Sequence, residues 1–452
     1  MSATAQPTTE REGAADWTKD HPFTDLTLAP PRVEVERRDN GEVVLTNPVP
    51  LGDYPTQLSD DLRRHADTHP DRIFLAERGA DGDWVRVSYA EARRRVDSIS
   101  QWLLDNGHGP DNPIACLSDN SVRFALLQLG AMQVGIPFLP VSPAYSLMSK
   151  DFARIRYVCE QFTPSLIYAE NLALFKPALD AVNPRAQLVA AHGVDAIAGA
   201  VPFEDLLAAT PGPAVEEAYA RVGPDTVGKI LLTSGSTGFP KGVINTQRNM
   251  CASHTQMTQV WPFLTERPPV ICDWLPWNHT FGANWCFNMI LRHGGTFYVD
   301  EGKPAPGKFE ATLRNLRDVK VTMLLNVARA YDALIPELEK DEAFARHLFS
   351  DLDYVFYAGA GLPRGLWDRL EALSIKVRGK RTPILTSLGS TETGPPALVC
   401  HWTADVTGSV GLPLPGLAAK LAPAGGKTEV RFKGANICPG YYRDDERTAQ
   451  AF

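Results

Sequence analysis

Apolar and polar positions along this chain follow two alternating rhythms, and the switches between them mark out its elements. Short apolar runs bounded by turn residues read as buried strands at 73–76, 114–117, 137–141, 165–169 and 187–190. Between them, apolar residues recur at helical spacing. Leu62 and Ala66 share one face of a helix predicted from Ser59, its N-cap, to about His69. Ser88 and Glu91 form a predicted capping box ahead of Ala92, Val96, Ile99 and Leu103, and Asn106-Gly107 stops that helix. A further helix is expected over 121–134.

The rhythm resumes beyond residue 220. Strands are predicted at 227–232, 270–275, 296–299, 321–325, 354–357 and 383–387, with one helix from about Asn245 and another ending near Leu291. Strands separated by helices imply an α/β fold of two mostly parallel sheets covered on both faces, split near residue 220. The expected organisation is an irregular lead-in at 1–55 and a first α/β subdomain at 56–220. A second α/β subdomain at 221–406 and a small β subdomain at 407–452 follow.

Composition narrows this only a little. The 452 residues are 44% hydrophobic and 22% charged, ordinary globular material. A net charge of −8 argues against a nucleic-acid partner. The seven cysteines are scattered without a C-x-x-C pair and read as reduced, mostly core thiols of a cytoplasmic protein. No apolar run approaches membrane-spanning length, and the polar, acidic N-terminus is no signal peptide.

Chemistry concentrates in three places. In Thr233-Ser234-Gly235-Ser236-Thr237-Gly238-Phe239-Pro240-Lys241-Gly242, four hydroxyls, three glycines and a lysine follow a predicted strand. Gly235, Gly238 and Gly242 would let backbone N–H groups turn inward as a nest, and Lys241 adds a compact positive charge. Such a loop suits a polyphosphate, although a Ser/Thr/Gly stretch on its own also reads as a linker. It is not a Walker A loop, because Pro240 precedes the lysine. Leu388-Gly389-Ser390-Thr391-Glu392-Thr393-Gly394 sets one carboxylate among hydroxyls, the donor set that magnesium accepts, or else a solvated turn. The third stretch, Trp274 to Trp285, is dense in aromatics around His279, which could equally be a packed core histidine. No G-x-S-x-G elbow is present to support a serine nucleophile.

The first stretch resembles, almost letter for letter, the phosphate-loop signature of the adenylate-forming superfamily. On these motifs the chain is identified as a member, similar to the family's large domain over residues 55–452. The resemblance implies that Thr233, Ser234, Gly235, Ser236, Thr237, Gly238 and Lys241 bind nucleotide phosphate. It implies that Gly359, Ala360, Gly361, Leu388, Gly389, Ser390 and Thr391 complete the nucleotide site, with Thr391 on the α-phosphate and Glu392 holding magnesium. Leu388 stands where the family usually has an adenine-flanking tyrosine. His279 is implied as a gate over the acid pocket, with Phe281, Trp285, Gly359, Pro395 and Pro396 lining it.

The run of the sequence looks most similar to bacterial feruloyl-CoA synthetases. The implied activity is an AMP-forming acid:CoA ligase using ATP, Mg2+ and CoA on an aromatic, hydroxycinnamic acid. Alternatives are a carrier-protein-loading adenylation domain, a luciferase-like oxygenase, or a nucleotide-binding protein without turnover. The chain stops before the family's ribose-binding aspartate and its small C-terminal domain, so impaired turnover is expected. Small-molecule acid, ATP and CoA are the expected partners, with no nucleic acid or membrane and with a homodimer left open.

Overall fold

The computed structural model describes residues 16–234, 238–403 and 408–452. Among them the strands form four sheets. The largest has seven strands, in the order Lys241–Thr246, Val227–Thr233, Phe138–Pro140, Ile114–Cys116, Leu166–Asn171, Gln187–His192 and Val201–Pro202. Every pairing in it is parallel except that of the edge strand Lys241–Thr246. Burial explains the parallel core. Ile114, Ala115 and Cys116 are covered on both faces, as are Phe138 and Leu139, so these strands are continuous apolar runs.

A second sheet joins Val270–Asp273 and Thr296–Val299 to Ile73–Arg78 and Trp84–Ser88. A third runs Met323–Asn326, Tyr354–Tyr357, Ile384–Gly389, Pro396–Val399 and Leu412–Pro413. These two are stitched by a main-chain bond from Thr322 N to Val270 O at 2.9 Å. The mixed α/β fold with largely parallel sheets is the one expected, but sheet membership does not follow the chain. Strands Val227–Thr233 and Lys241–Thr246 join partners from before residue 220, and Ile73–Arg78 crosses to partners beyond it. Nor is the lead-in wholly irregular. Glu34–Arg37 and Val43–Thr46 pair with Ala418–Ala424 and Lys427–Lys433 in a small antiparallel sheet. Pairing depends on which edges are left open, and local pattern does not record that.

Three local expectations change. Ser59 is the first helical residue of Ser59–Thr68, preceded by Leu58 with no side-chain cap, and the Ser59 hydroxyl is buried without a partner among the described residues. The helix expected from about Asn245 is present from Gln247, and the stretch between it and the glycine-rich loop is the strand Lys241–Thr246. That strand pairs antiparallel with Val227–Thr233, Thr233 opposite Lys241, and the helix Gln247–Val260 starts after Thr246, its N-cap. Val243, Ile244 and Thr246 are β-branched, which favours strand here. Gly242 therefore sits inside a strand and not in the loop. A Cβ there would come within 2.4 Å of the Phe162 ring, so its glycine serves close packing. By contrast, Ser88 caps Tyr89–Asp105 through Glu91 N at 3.2 Å, and Ala92, Val96, Ile99 and Leu103 are all fully buried. No helix among the described residues is long and apolar enough to cross a membrane.

Candidate active site

The C-terminal ends of the parallel strands Tyr354–Tyr357 and Ile384–Gly389 open, with Thr233, Ser234 and Lys241, onto a cavity of about 1020 Å3. Ligands of open α/β sheets gather at such strand ends. One wall is polar. Strand Val227–Thr233 delivers Thr233 and Ser234, and the hairpin register sets Lys241 opposite Thr233. Thr233 Oγ1 is buried with no hydrogen-bond partner among the described residues, and a phosphate oxygen would satisfy it.

Glu392 arrives from a separate element, the short 3-10 turn Thr391–Thr393 beyond Ile384–Gly389. Ser390 N donates to Thr393 Oγ1 at 2.8 Å and fixes that turn. Lys241 Nζ donates to Glu392 Oε1 at 2.8 Å and to Tyr441 Oη at 2.5 Å, and Tyr441 Oη donates to the same carboxylate oxygen at 3.0 Å. Burial pushes the Glu392 carboxyl up, but its bonds to Lys241 and Tyr441 prevail and hold it below the usual carboxylate range. Burial pulls the Lys241 ammonium down, and Glu392 and Tyr441 more than restore it. The two groups therefore face each other as a charged pair.

The spacing of this pair is set from the far end of the chain. Asn436 Nδ2 donates to Thr393 O at 2.8 Å and to Pro396 O at 3.0 Å, and Cys438 N donates to Glu392 O at 2.9 Å. On the other side Ile244 N donates to Gly440 O at 3.0 Å, and Tyr442 N donates to Gly242 O at 2.8 Å. Residues 436–442 thus tie the lysine strand to the glutamate turn. Sequence reasoning gave Tyr441 no role. Its only local signal is the Gly-Tyr-Tyr run, and its partners are remote in sequence.

The opposite end of the cavity is aromatic. A π-helix, Phe281–Phe287, presents Phe281 and Trp285, joined by Trp274, His279 and Tyr357. Trp285 stacks on Phe356 with ring centroids 4.4 Å apart and meets Trp261 edge-on at 5.6 Å. His279 Nδ1 accepts from Phe281 N at 3.3 Å, and burial lowers the imidazole pKa. The ring is then neutral, with its proton on Nε2. Gly359, at φ +81°, turns the backbone so that Gly359, Ala360 and Gly361 form a flat wall beside Leu388, Gly389, Ser390 and Thr391.

The fold thus brings most of the residues selected from sequence to one cavity. Pro395 reaches the wall, whereas Pro396 is buried in Pro396–Val399, paired with Gly389. Gly238 faces a neighbouring groove with Tyr145, Arg154 and Phe239. Gly235, Ser236 and Thr237 lie outside the described residues. A divalent cation would find one carboxylate here. Among the described residues the side-chain bonds to Glu392 fall on Oε1, which leaves Oε2 for it. Among the described residues no group of three or more His, Cys, Asp or Glu could cage a metal. The donor set therefore fits a magnesium ion that keeps its waters and takes phosphate oxygens.

One cavity thus carries a lysine–carboxylate pair at one end and aromatic walls at the other. Residues 62–442 match the family model described as AMP-binding enzyme, and the chain belongs to that family. It is 25% identical over 414 residues to the 3-[(3aS,4S,7aS)-7a-methyl-1,5-dioxo-octahydro-1H-inden-4-yl]propanoyl:CoA ligase of Rhodococcus jostii, covering 88% of this chain and 75% of that one. It is 24% identical over 406 residues to the probable non-canonical nonribosomal peptide synthetase CymA of Salinispora arenicola, covering 85% of this chain but only 4% of that protein. Among solved structures, ATP-bound MatB from Rhodopseudomonas palustris superposes with a TM-score of 0.69 at 23% identity, over 88% of this chain and 74% of MatB. That likeness shows the fold, the N-terminal domain of adenylate-forming enzymes.

Proposed function

We propose that this protein activates an aromatic, hydroxycinnamic (feruloyl-like) carboxylic acid with ATP and passes the acyl group to coenzyme A. The carrying observation is that one cavity joins the Lys241–Glu392 pair to the Phe281–Trp285 wall. A planar ring suits a slot faced by stacked and edge-on aromatics better than a flexible alkyl chain does. The Rhodococcus relative is named for a CoA ligase whose acyl group bears a saturated fused-ring system, a cyclic but not an aromatic acid.

In the first half-reaction a carboxylate oxygen of the acid bonds to the α-phosphorus of ATP, and the bond to the β-phosphate oxygen breaks, releasing pyrophosphate. In the second, the CoA sulfur bonds to the acyl carbon, AMP leaves with the bridging oxygen, and the thiol proton passes to solvent. Lys241 neutralises charge on the phosphates, and the hydroxyls of Thr233, Ser234 and Thr391 donate to their oxygens. Glu392 would hold magnesium, which would supply further neutralisation of the leaving pyrophosphate. His279 closes over the acid and donates through Nε2.

CoA is favoured over a carrier protein by a groove of about 590 Å3 next to the phosphate loop. Tyr145 with Arg154 above it, and Phe239 stacked on Tyr157, offer aromatic faces and a cation to a nucleotide-bearing thiol. Incubation with ATP, ferulate and either CoA or a carrier protein, read by mass spectrometry, tests this reading. Feruloyl-CoA forming only with CoA is the expected product. Acyl transfer to the carrier alone would move the protein to the peptide-synthetase class, and absence of any aryl-AMP would leave a binding protein.

Tyr441→Phe isolates the hydroxyl that bridges the charged pair while the ring stays over Lys241, whose Nζ lies 4.3 Å from the ring centroid. ATP affinity should fall about three- to tenfold, the scale of one or two modest hydrogen bonds. The melting temperature should barely move. Calorimetric titration with ATP beside a thermal melt checks both.

A further inference from the structure

Lys229 lies in the middle of Val227–Thr233, fully buried, and the reaction outlined above makes no use of it. A buried ammonium is costly unless its hydrogen bonds are made well. No carboxylate pairs with it among the described residues. Its Nζ donates instead to Ala283 O at 2.9 Å, Asn288 Oδ1 at 3.0 Å and Asn284 Oδ1 at 3.4 Å. All three acceptors belong to the π-helix or to the residue just after it.

The contacts lead on toward the cavity. Asn284 Nδ2 donates to Thr280 Oγ1 at 3.3 Å, and Thr280 lines the cavity. Asn284 Nδ2 also donates to Asn245 Oδ1 at 2.8 Å, and Asn284 O meets His254 Nε2 at 2.7 Å. The segment that presents Phe281 and Trp285 is thereby held from its buried side by fixed donors. A π turn carries one residue more than an α turn, so its pairing is poorer and it persists where outside groups support it. Relaxation of this turn to α-helical pairing would rotate Phe281 and Trp285 relative to each other and reshape the slot.

We propose that Lys229 is a positioning residue for the acid-binding end of the cavity: it pins the π-helix whose aromatic face selects the acid. This rests on the aromatic-acid reading of that end. Lys229 shares a strand with Thr233, and Asn245 shares one with Lys241, but the side-chain bonds of Lys229 go to the π-helix and none among the described residues goes to Thr233, Lys241 or Glu392. Loss of Lys229 should therefore separate acid binding from ATP binding, which a general loss of structure would not do.

The test is calorimetric titration of the full chain with ferulate and, separately, with ATP, for the wild type, Lys229→Met and Asn288→Ala. Lys229→Met keeps length and bulk and removes the donor. Ferulate affinity should fall at least about tenfold, the scale of one or more lost buried hydrogen bonds. ATP affinity should stay within about twofold of wild type by the same reckoning. Asn288→Ala removes one acceptor and should shift ferulate in the same direction by a smaller factor. It serves as the test if Lys229→Met does not fold. Unchanged ferulate affinity, or equal losses for both ligands, overturns the inference. A wild type that binds ATP and no ferulate overturns the aromatic-acid reading, and this inference with it, before any variant is made.

Discussion

Replacing Lys241 with alanine should cost about a hundredfold in ATP affinity and leave affinity for the free acid within about twofold. Lys241 Nζ makes two short bonds, to Glu392 and Tyr441, at the point where the hairpin faces the glutamate turn. Its loss removes a cation from the phosphate end, and charge-assisted bonds of this kind contribute about 1.5–3 kcal/mol each. It also leaves the half-buried Glu392 carboxylate facing an incoming triphosphate with nothing to offset it. The acid end is built from Trp274, His279, Phe281 and Trp285, and Lys241 is not among its aromatic walls. Stability should change little, because the pair remains partly open to water on both sides. Titration of ATP and ferulate against the same protein decides the matter. Equal losses for the two ligands would remove Lys241 from the phosphate end.

A second large effect is expected from the smallest change available, Gly389→Ala. A Cβ on Gly389 would stand 1.8 Å from Pro395 O and 3.0 Å from Pro396 Cα, and both neighbours are backbone. No side chain can swing away, so Ile384–Gly389 must separate from Pro396–Val399 or the turn carrying Glu392 must move. A cost of about 3 kcal/mol or more follows from overpacking against a fixed backbone. ATP binding should fall with it, because Ser390, Thr391 and Glu392 follow directly in the chain. Gly361→Ala is the matching control on the same cavity wall, since a Cβ there meets nothing within 4 Å. Thermal melts of both variants should show Gly389→Ala lowered by about 3 °C or more and Gly361→Ala near wild type. A Gly389→Ala protein melting with the wild type would contradict the packing described.

The legible parts of the fold were those whose cause is local. Ala92, Val96, Ile99 and Leu103 repeat at helical spacing and form a buried face, and Ser88 caps that helix as its position suggests. Tyr354–Tyr357 and Thr296–Val299 are apolar runs between turns, and both are strands. Where two local causes competed, the pattern misled. Ser59 looks like a cap, yet the helix already includes it. Residues 241–246 follow a loop of glycines and hydroxyls and still form a strand, because the open edge of Val227–Thr233 is there to pair with.

Residue types and their order were enough to mark a phosphate-binding loop, a lone carboxylate among hydroxyls and an aromatic stretch, since each chemistry demands particular side chains close together in the chain. Three-dimensional folding alone decided that Lys241, Glu392 and Tyr441 share one network, that Pro396 turns into a sheet while Pro395 meets the cavity, and that a buried Lys229 grips the π-helix. Those contacts join segments far apart in the chain. Which edges pair and which faces stack is chosen by the whole set of buried surfaces together, and no single stretch carries that information.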